Sequence, residues 1–298
     1  MQLIPTSSKA VFKQPLRNGR SLTPYLLLIP GLAWLGVFFV IPFFSLLVTS
    51  LMRSAGPSVL DGYVNAFEIA NYIGALQTYW PVFAKSLLYA ASATLLALVI
   101  GYPLAYHIAL KGGRWRNLML VLVIAPFFAA YLIRTYAWKT ILADDSFITV
   151  ALNALNLLPQ DRILNTPLAV IAGISYNFLP FMILPLYAAI ERIDPRLLEA
   201  SKDLYANPGE TFRKVTLPLS MPGVVSGTLL TFIPAMGDFI NASLLGSARD
   251  RMIGNVIQSQ FVIVRDYPLA SALSFILMSI ILVIVFFYIR RAGTEDLV

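Results

Sequence analysis

Residues 192–221 read RIDPRLLEASKDLYANPGETFRKVTLPLSM, and this polar stretch separates two apolar runs of the chain. Leu168–Ile190 comes before it and Val224–Leu245 comes after it. Each run has about the 20 apolar residues that an α-helix needs to cross the hydrocarbon of a bilayer. The sequence therefore predicts two transmembrane helices joined by a segment that is too polar to lie in lipid.

The composition of the whole chain indicates a membrane protein. Its 298 residues are 58% hydrophobic and only 12% charged, whereas a soluble domain carries roughly 25% charged residues. So little charge cannot cover a water-facing surface, which argues against a soluble enzyme, a disordered regulator or a nucleic-acid binder. The chain has no cysteine and one histidine, so it offers neither a thiolate nucleophile nor a His-rich metal cluster.

Six apolar runs are predicted to be transmembrane helices, and the predicted fold class is all-α and polytopic. They are Tyr25–Leu51, Ser86–Leu110, Leu118–Tyr136, Leu168–Ile190, Val224–Leu245 and Leu269–Ile289. The first run is too long for the apolar core of a signal peptide, so we interpret it as an uncleaved helix. The spans divide the chain into a tail over residues 1–24, a transmembrane domain over 25–290 with a loop over 191–222, and a tail over 291–298.

The basic residues set the predicted orientation. Fourteen of the 22 Lys and Arg residues lie on one side of the membrane if both termini are inside. They lie in residues 1–24, 111–117, 191–222 and 290–298. Because cytoplasmic segments carry an excess of Lys and Arg, both termini and the loop over 191–222 are predicted to be cytoplasmic. This topology accounts for the net charge of +7, so no nucleic-acid partner is needed.

The loop over residues 191–222 carries two helix-start signals. Asp194 precedes a proline, and Asn207 precedes a proline, a glycine and a glutamate. Each places a side-chain acceptor at an N-cap with proline at the first helical position. The first helix is predicted to run to Tyr205 and the second to end at Pro218.

One face of the first of these helices is predicted to gather its apolar residues at 3–4 spacing. It comprises Leu197, Leu198, Ala200, Ser201, Leu204 and Tyr205. Such a structured knob is either a docking surface for a cytoplasmic protein or an amphipathic hairpin at the membrane interface. The pattern alone leaves both alternatives open.

The same loop resembles the EAA loop of ATP-binding-cassette (ABC) importer permeases, whose pattern is E-A-A-x3-G-x9-I-x-L-P. The matching residues are Glu199-Ala200-Ser201, Val215-Thr216-Leu217-Pro218 and Pro222-Gly223. The spacing fits without a gap, and Ser201 and Val215 are mild departures from the pattern. Tyr205 replaces the family glycine, a residue that we expect to allow close approach of the backbone to the ATPase.

Further segments resemble the polyamine branch of this family. They are residues 134–138 (RTYAW), 179–187 (LPFMILPLY), 234–239 (PAMGDF), 253–258 (IGNVIQ), 260–261 (QF) and 265–268 (RDYP). The chain is similar to the first permease subunit of spermidine/putrescine importers. This branch also resembles importers of opines and other small amines.

The resemblance implies a type I ABC importer permease fold in a bacterial inner membrane, surrounded by lipid. It also implies three partners: a second homologous permease subunit, a dimer of ABC ATPases and an external solute-binding protein. ATP and Mg²⁺ would be bound by the ATPase, and this chain, which has no G-x4-G-K-[ST] phosphate loop, is expected to be a non-catalytic subunit without a cofactor. The residues implied to couple it to the ATPase are Glu199, Ala200, Ser201, Asp203, Leu204, Tyr205, Gly209, Phe212, Leu217 and Pro218.

A second set of candidates lies within the predicted spans, where polar residues are functional candidates by default. They are Tyr176, Asn177, Asp238 and Asn241, expected along a substrate path. Asp238 could meet an ammonium group of the substrate, a hydroxyl or Arg of the second permease, or the membrane interface. Arg134 is expected to contact the binding protein or to extend outward toward water. An ion-coupled carrier is the rival class, although such carriers usually show more intramembrane acids and inverted repeats.

Overall fold

The computed structural model describes residues 23–56, 62–156, 158 and 161–292, and this part of the chain is almost wholly helical. Nearly all of the two predicted tails, residues 1–24 and 291–298, lies outside the described residues. The chain divides into two compact units, Met1–Leu46 and Leu47–Val298.

The first predicted span is helical over its described length. Helix α1 (Thr23–Leu35), a π-helical turn (Gly36–Val40) and helix α2 (Ile41–Ser50) follow one another directly. Together they form a 25-residue apolar segment, Leu26–Ser50, which confirms this span by length and composition.

The remaining elements are mostly helices, with one two-stranded antiparallel sheet. They are β1 (Met52–Ser54), β2 (Tyr63–Asn65), α3 (Ala70–Lys111), α4 (Arg116–Ile124), α5 (Tyr131–Ile141), α6 (Phe147–Ala154), α7 (Pro167–Glu191), α8 (Pro195–Asp203), α9 (Pro208–Thr211), α10 (Leu217–Leu219), α11 (Met221–Met236), α12 (Ile240–Leu245), α13 (Ile253–Ser259) and α14 (Tyr267–Ala292). Short 3₁₀ turns flank α4, and π-helical turns follow α9 and α13. Helices α6 and α13 lie in the segments after the third and fifth predicted spans, on the predicted external side.

Helix α3 is longer than the second predicted span. It has 42 residues and is therefore about 63 Å long, roughly twice the thickness of the hydrocarbon. The prediction Ser86–Leu110 covers only its C-terminal part, and the segment before it is helix rather than loop. Hydropathy does not extend the span backward because Asn71, Gln77 and other polar residues interrupt the apolar pattern there.

Small residues allow the central helices α3, α7 and α11 to pack closely. Ala93 on α3 and Ile174 on α7 are fully buried in a shared core with residues of α11. A Cβ added at Gly223 of α11 would lie 2.5 Å from the Cβ of Ala189 and 2.8 Å from the carbonyl oxygen of Pro185. Such contact requires glycine, as is common where helices pack in membranes.

Two of the predicted spans are broken. The third, Leu118–Tyr136, is a bent pair in which residues 113–128 and 131–141 meet at 97°. The fifth, Val224–Leu245, is interrupted between α11 and α12. Among the described residues, four helices alone can cross a bilayer by length and composition. The count reaches six if each of two bent pairs is one span, and the second of these pairs joins Pro208–Leu219 to Met221–Met236 rather than α11 to α12.

Candidate functional site

The coupling loop, defined here as residues 191–222, begins with the predicted cap. The carboxylate of Asp194 accepts a hydrogen bond from the backbone N–H of Arg196 at 2.9 Å, and the following proline opens α8. This satisfies one of the backbone donors that a helix N-terminus leaves free. The predicted start of the first loop helix is therefore confirmed.

The second helix of the coupling loop also starts as predicted. The side-chain oxygen of Asn207 accepts from the backbone N–H of Glu210 at 2.9 Å, and the Glu210 carboxylate accepts from the N–H of Asn207 at 3.2 Å. This is a reciprocal capping box. The helix does not end at Pro218 as predicted, since α10 continues to Leu219 before the chain turns by 64° into α11.

The predicted apolar face of α8 is divided. Ser201 is buried and Leu198 is half-buried against the body of the protein. Leu197, Leu204 and Tyr205 are 47%, 82% and 97% exposed. The prediction of one shared face was wrong. Helix α8 ends at Asp203, and the left-handed backbone of Tyr205 takes its ring out of the row that Leu198 and Ser201 bury. The exposed side chains leave an apolar surface in water, which is typical of a docking site.

Tyr205 stands where the EAA pattern has glycine, and its backbone conformation gives a second reason for glycine at this position. Its φ is +58°, in the left-handed region. The N–H of the next residue, Ala206, donates to the carbonyl of Ser201 at 3.0 Å, and the N–H of Tyr205 donates to that of Lys202 at 2.9 Å. These bonds end α8 in a glycine-type cap. Glycine suits this position because of its backbone conformation, and a tyrosine here is strained by about 1–2 kcal/mol.

Three of the ten predicted coupling residues turn inward: Phe212 and Leu217 pack against the body, and Ser201 joins the two helices of the loop. The ring of Phe212 packs edge-on against Tyr102 at 5.6 Å and against Tyr106 at 6.1 Å between ring centres. Ser201 shares a 2.9 Å hydrogen bond with the hydroxyl of Thr211. Leu217 packs in the same core as Phe212. The other seven are exposed: Glu199, Ala200, Asp203, Leu204, Tyr205, Gly209 and Pro218.

The polar cluster, defined as Tyr131, Thr135, Asn177, Asp238 and Asn241, joins α5, α7 and the break between α11 and α12. Asp238 Oδ1 accepts from the backbone N–H of Asn241 at 2.8 Å. Asp238 Oδ2 accepts from the Asn241 amide at 3.0 Å and from the Tyr131 hydroxyl. The carboxylate therefore caps α12 and holds it against α5.

A second layer of the polar cluster reaches α7. The side-chain N–H₂ of Asn177 donates to Asn241 Oδ1 at 3.1 Å and to the Thr135 hydroxyl at 3.2 Å. Asp238 is 7% exposed, and Asn177, Thr135 and Asn241 are fully buried. Asn177 Oδ1 is buried with no hydrogen-bond partner among the described residues. One buried oxygen of the cluster therefore lacks a hydrogen bond, although the groups around it are hydrogen-bonded to one another.

Three of the four predicted path residues meet in the polar cluster, and Tyr176 does not. Tyr176 is one position before Asn177 and so points to another side of α7, where its ring lies 5.2 Å from that of Trp138. The hydroxyl partner of Asp238 comes from Tyr131 of this chain. Tyr131 and Thr135 were not predicted, although their four-residue spacing places both on one face of α5.

Arg134 does not extend outward as expected. It is only 8% exposed, and its guanidinium lies 4.7 Å from the ring centre of Phe127 and 5.5 Å from that of Tyr131. The bend between α4 and α5 turns it into the protein. The expectation that Arg134 extends outward toward water was therefore wrong, and its contact with the binding protein stays a prediction.

An acidic group also organises the predicted external side. Asp250, which is 6% exposed, accepts hydrogen bonds from the Tyr89 hydroxyl at 2.9 Å and from the Ser247 N–H at 2.9 Å. Burial alone would raise the pKa of Asp250, but the Ser247 and Tyr89 hydrogen bonds and the charge of Lys85 hold it below its usual range. The carboxylate ties the loop after α12 to α3.

Residues 97–292 match the family of binding-protein-dependent transport system inner membrane components. This match covers the coupling loop, the polar cluster and all helices from the middle of α3 onward.

Relatives with assigned names resemble nearly the whole chain. The spermidine/putrescine transport system permease protein PotB of Haemophilus influenzae is 41% identical over 265 residues, covering 87% of this chain and 90% of the relative. The protein of the same name from Escherichia coli K12 is 38% identical over 261 residues, covering 87% and 94%.

A solved structure shares the fold. One chain of a bacterial ABC transporter involved in the import of alginate superposes with a TM-score of 0.72 at 17% identity, over 93% of this chain and 97% of that one. This agrees with the predicted type I importer permease architecture. On the family match and the identity to these relatives, the chain belongs to the binding-protein-dependent transport system inner membrane components, which are multi-pass transport proteins rather than enzymes.

Proposed function

We propose that this chain is the permease subunit of an ATP-driven importer of polyamines such as spermidine and putrescine, or of related small cationic solutes. The names of the relatives support the substrate class. The observation that carries the proposal is the buried carboxylate of Asp238 at the break between α11 and α12. Its hydrogen-bond partners are neutral, and no cation within the described ranges forms an ion pair with it.

The polar cluster would serve as a transient site for an ammonium group. A buried carboxylate without a countercharge attracts a cation that has shed its water. Asn177 Oδ1, which lacks a donor, offers a second acceptor close to the same network. The hydroxyl of Tyr131 would have to leave Asp238 first, so binding would require a shift of α5 relative to α12.

The exposed residues of the coupling loop would contact an ABC ATPase, which would hold ATP and Mg²⁺. A dimer of that ATPase, a second homologous permease and an external solute-binding protein would complete the transporter. Phe212, packed on α3, would carry the movement of the loop into the membrane helices as a rigid-body rearrangement.

ATP hydrolysis by the reconstituted transporter tests the substrate. We expect spermidine or putrescine, delivered with the binding protein, to stimulate hydrolysis and uptake, and Asp238→Asn to reduce both while the complex stays assembled. Stimulation by an opine or another amine alone would replace polyamine as the substrate. Uptake driven by an ion gradient without ATP would overturn the importer proposal.

The coupling surface has its own test. Glu199→Ala and Ala200→Trp change exposed positions of α8, so we expect each to reduce transport at least about tenfold without lowering the melting temperature. Asp145→Ala, which removes an exposed acid in a predicted external loop, is the matched control and should transport normally. Normal uptake with Glu199 and Ala200 both altered would rule out docking through this surface.

A further inference from the structure

A cavity of about 310 Å³ lies among α3, α4, α5 and α7, outside the polar cluster. Its walls are mainly apolar, and the residues used below are Leu104, Leu122, Arg134, Tyr176 and Leu179. A cavity of roughly 150 Å³ holds one benzene molecule, so this one has room for an extended hydrocarbon segment. Leu104 and Leu122 are 37% and 62% exposed, and the cavity is open beside them on an apolar surface.

Arg134 is the charged residue in the wall of this cavity. It is more than nine-tenths buried, and its Nε has no hydrogen-bond partner in the described part of the chain. The rings of Phe127 and Tyr131 cover the guanidinium, but a ring face does not accept its in-plane N–H groups as an oxyanion does. A buried guanidinium in this state is costly unless an anion pairs with it.

The carboxylates within the described ranges do not supply that anion. The two ion pairs found among the described residues are Arg116–Glu191 and Lys214–Glu210. Asp238, the buried acid of the neighbouring polar cluster, is bonded to Tyr131 and Asn241 instead. No described acid therefore pairs with Arg134, and the lipid around the protein is a source of anions for it.

We propose that this cavity binds an anionic phospholipid, with one acyl chain against the apolar walls and the phosphate on Arg134. Apolar walls do not accept a free hydrated anion, whereas a lipid brings its charge and its hydrocarbon together. The surrounding membrane supplies such amphiphiles at high concentration. The proposal concerns the resting protein and does not depend on which solute is transported.

Native mass spectrometry of the chain, purified in mild detergent with any subunits that accompany it, tests this proposal. Phosphatidylglycerol and phosphatidylcholine with identical acyl chains are the probes. We expect the wild-type protein to retain phosphatidylglycerol about tenfold more strongly, because the choline of phosphatidylcholine places a positive charge close to the Arg134 guanidinium. Arg134→Gln should abolish that preference, and Leu179→Trp, which fills the cavity, should reduce retention of both lipids.

Arg114→Gln is the matched control, because Arg114 is exposed, outside the cavity, and can attract headgroups only at the surface. It should leave the preference unchanged. Equal retention of the two lipids by the wild type, or unchanged preference in Arg134→Gln, would overturn the proposal. So would cross-linking that places an acidic residue of the second permease in the cavity. If Arg134→Gln does not fold, the wild-type preference and Leu179→Trp decide.

Discussion

The coupling loop exposes apolar side chains to water, whereas the polar cluster buries polar side chains inside the protein. The loop leaves Leu204 and Tyr205 in water, while its cap hydrogen bonds close within two or three residues. The cluster buries a carboxylate and two amides, and its Tyr131–Asn241 bond joins residues 110 positions apart. The exposed apolar surface is the proposed contact with a partner protein, and the buried network is the proposed cation site. Four changes test this contrast.

The largest effect is expected from Asp238→Ala, which removes the acceptor for the Tyr131 hydroxyl and the Asn241 amide. The buried donors would lose their partner, so the free energy of unfolding should fall by about 2–3 kcal/mol. Thermal unfolding in mild detergent measures this. Asp238→Asn, which keeps one acceptor oxygen, should cost less stability while still reducing transport. A fully stable Asp238→Ala protein would mean that the cluster does not hold α5 to α12.

The second-largest effect is expected from Gly223→Ala, because the new Cβ would meet Ala189 and the backbone of Pro185. We expect a loss of about 1–3 kcal/mol from forced separation of α7 and α11. Gly209→Ala in the coupling loop is the control: the nearest atom, Asn207 Oδ1, lies 3.4 Å away, and stability should change by less than about 0.5 kcal/mol. Equal melting temperatures for the two variants would contradict the close packing described above.

Comparison of Tyr205→Gly with Tyr205→Ala distinguishes the backbone strain at this position from a docking contact of the tyrosine ring. Relief of the left-handed conformation should stabilise the end of α8 by about 0.5–1 kcal/mol, after allowance for the backbone entropy of glycine. Tyr205→Ala removes the same ring but keeps the strain. Hydrogen exchange of the α8 amides should slow only in the glycine variant. If the ring is a docking contact, both variants should lose ATPase coupling equally; coupling lost in one variant alone would show that backbone geometry matters instead.

The smallest effect concerns Glu210, whose pKa is lowered by the hydrogen bond from the Asn207 backbone and by Lys214. A depressed pKa means that the ionised form stabilises the fold. That stability is present above the ordinary glutamate pKa of about 4.3 and is lost as the pH falls through the lowered value. Protection of the amides at the start of α9, corrected for the intrinsic slowing of exchange in acid, should therefore fall on acidification, and Glu210→Gln should remove this pH dependence. A pH dependence that persists in the glutamine variant would assign the titration to another group.

The sequence located the starts of α8 and α9 because a helix cap is a local arrangement. Asp194 and Asn207 reach backbone groups two and three residues away, so composition at a few positions decides the outcome. The sequence also located the third span, but it did not predict the bend within it. Hydropathy averages over a window and does not record direction, and the extended backbone of Ala129 and Ala130, after Pro126, turns the chain by 97° within an apolar run.

Only part of the candidate site was predicted, because sequence patterns report local features and not how distant helices pack. Asp238, Asn177 and Asn241 stood out as polar residues in apolar runs, but their shared network with Tyr131 depends on how three helices pack. Tyr176 was grouped with Asn177 by adjacency, although neighbours on a helix point about 100° apart. Arg134 was expected at the surface, because nothing local indicates the bend that buries it.

The sequence by itself determined the features that depend on transfer energies and local hydrogen bonds. Apolar runs long enough to span lipid, the distribution of basic residues and the cap signals of the coupling loop required no knowledge of distant contacts. The tertiary structure decided which row of α8 is exposed, why a left-handed residue stands at Tyr205, which hydroxyl meets Asp238, and that Arg134 borders a cavity. These features depend on the relative placement of helices separated by many residues, and the physical reason is that side-chain packing, unlike hydropathy, is fixed only when the helices meet.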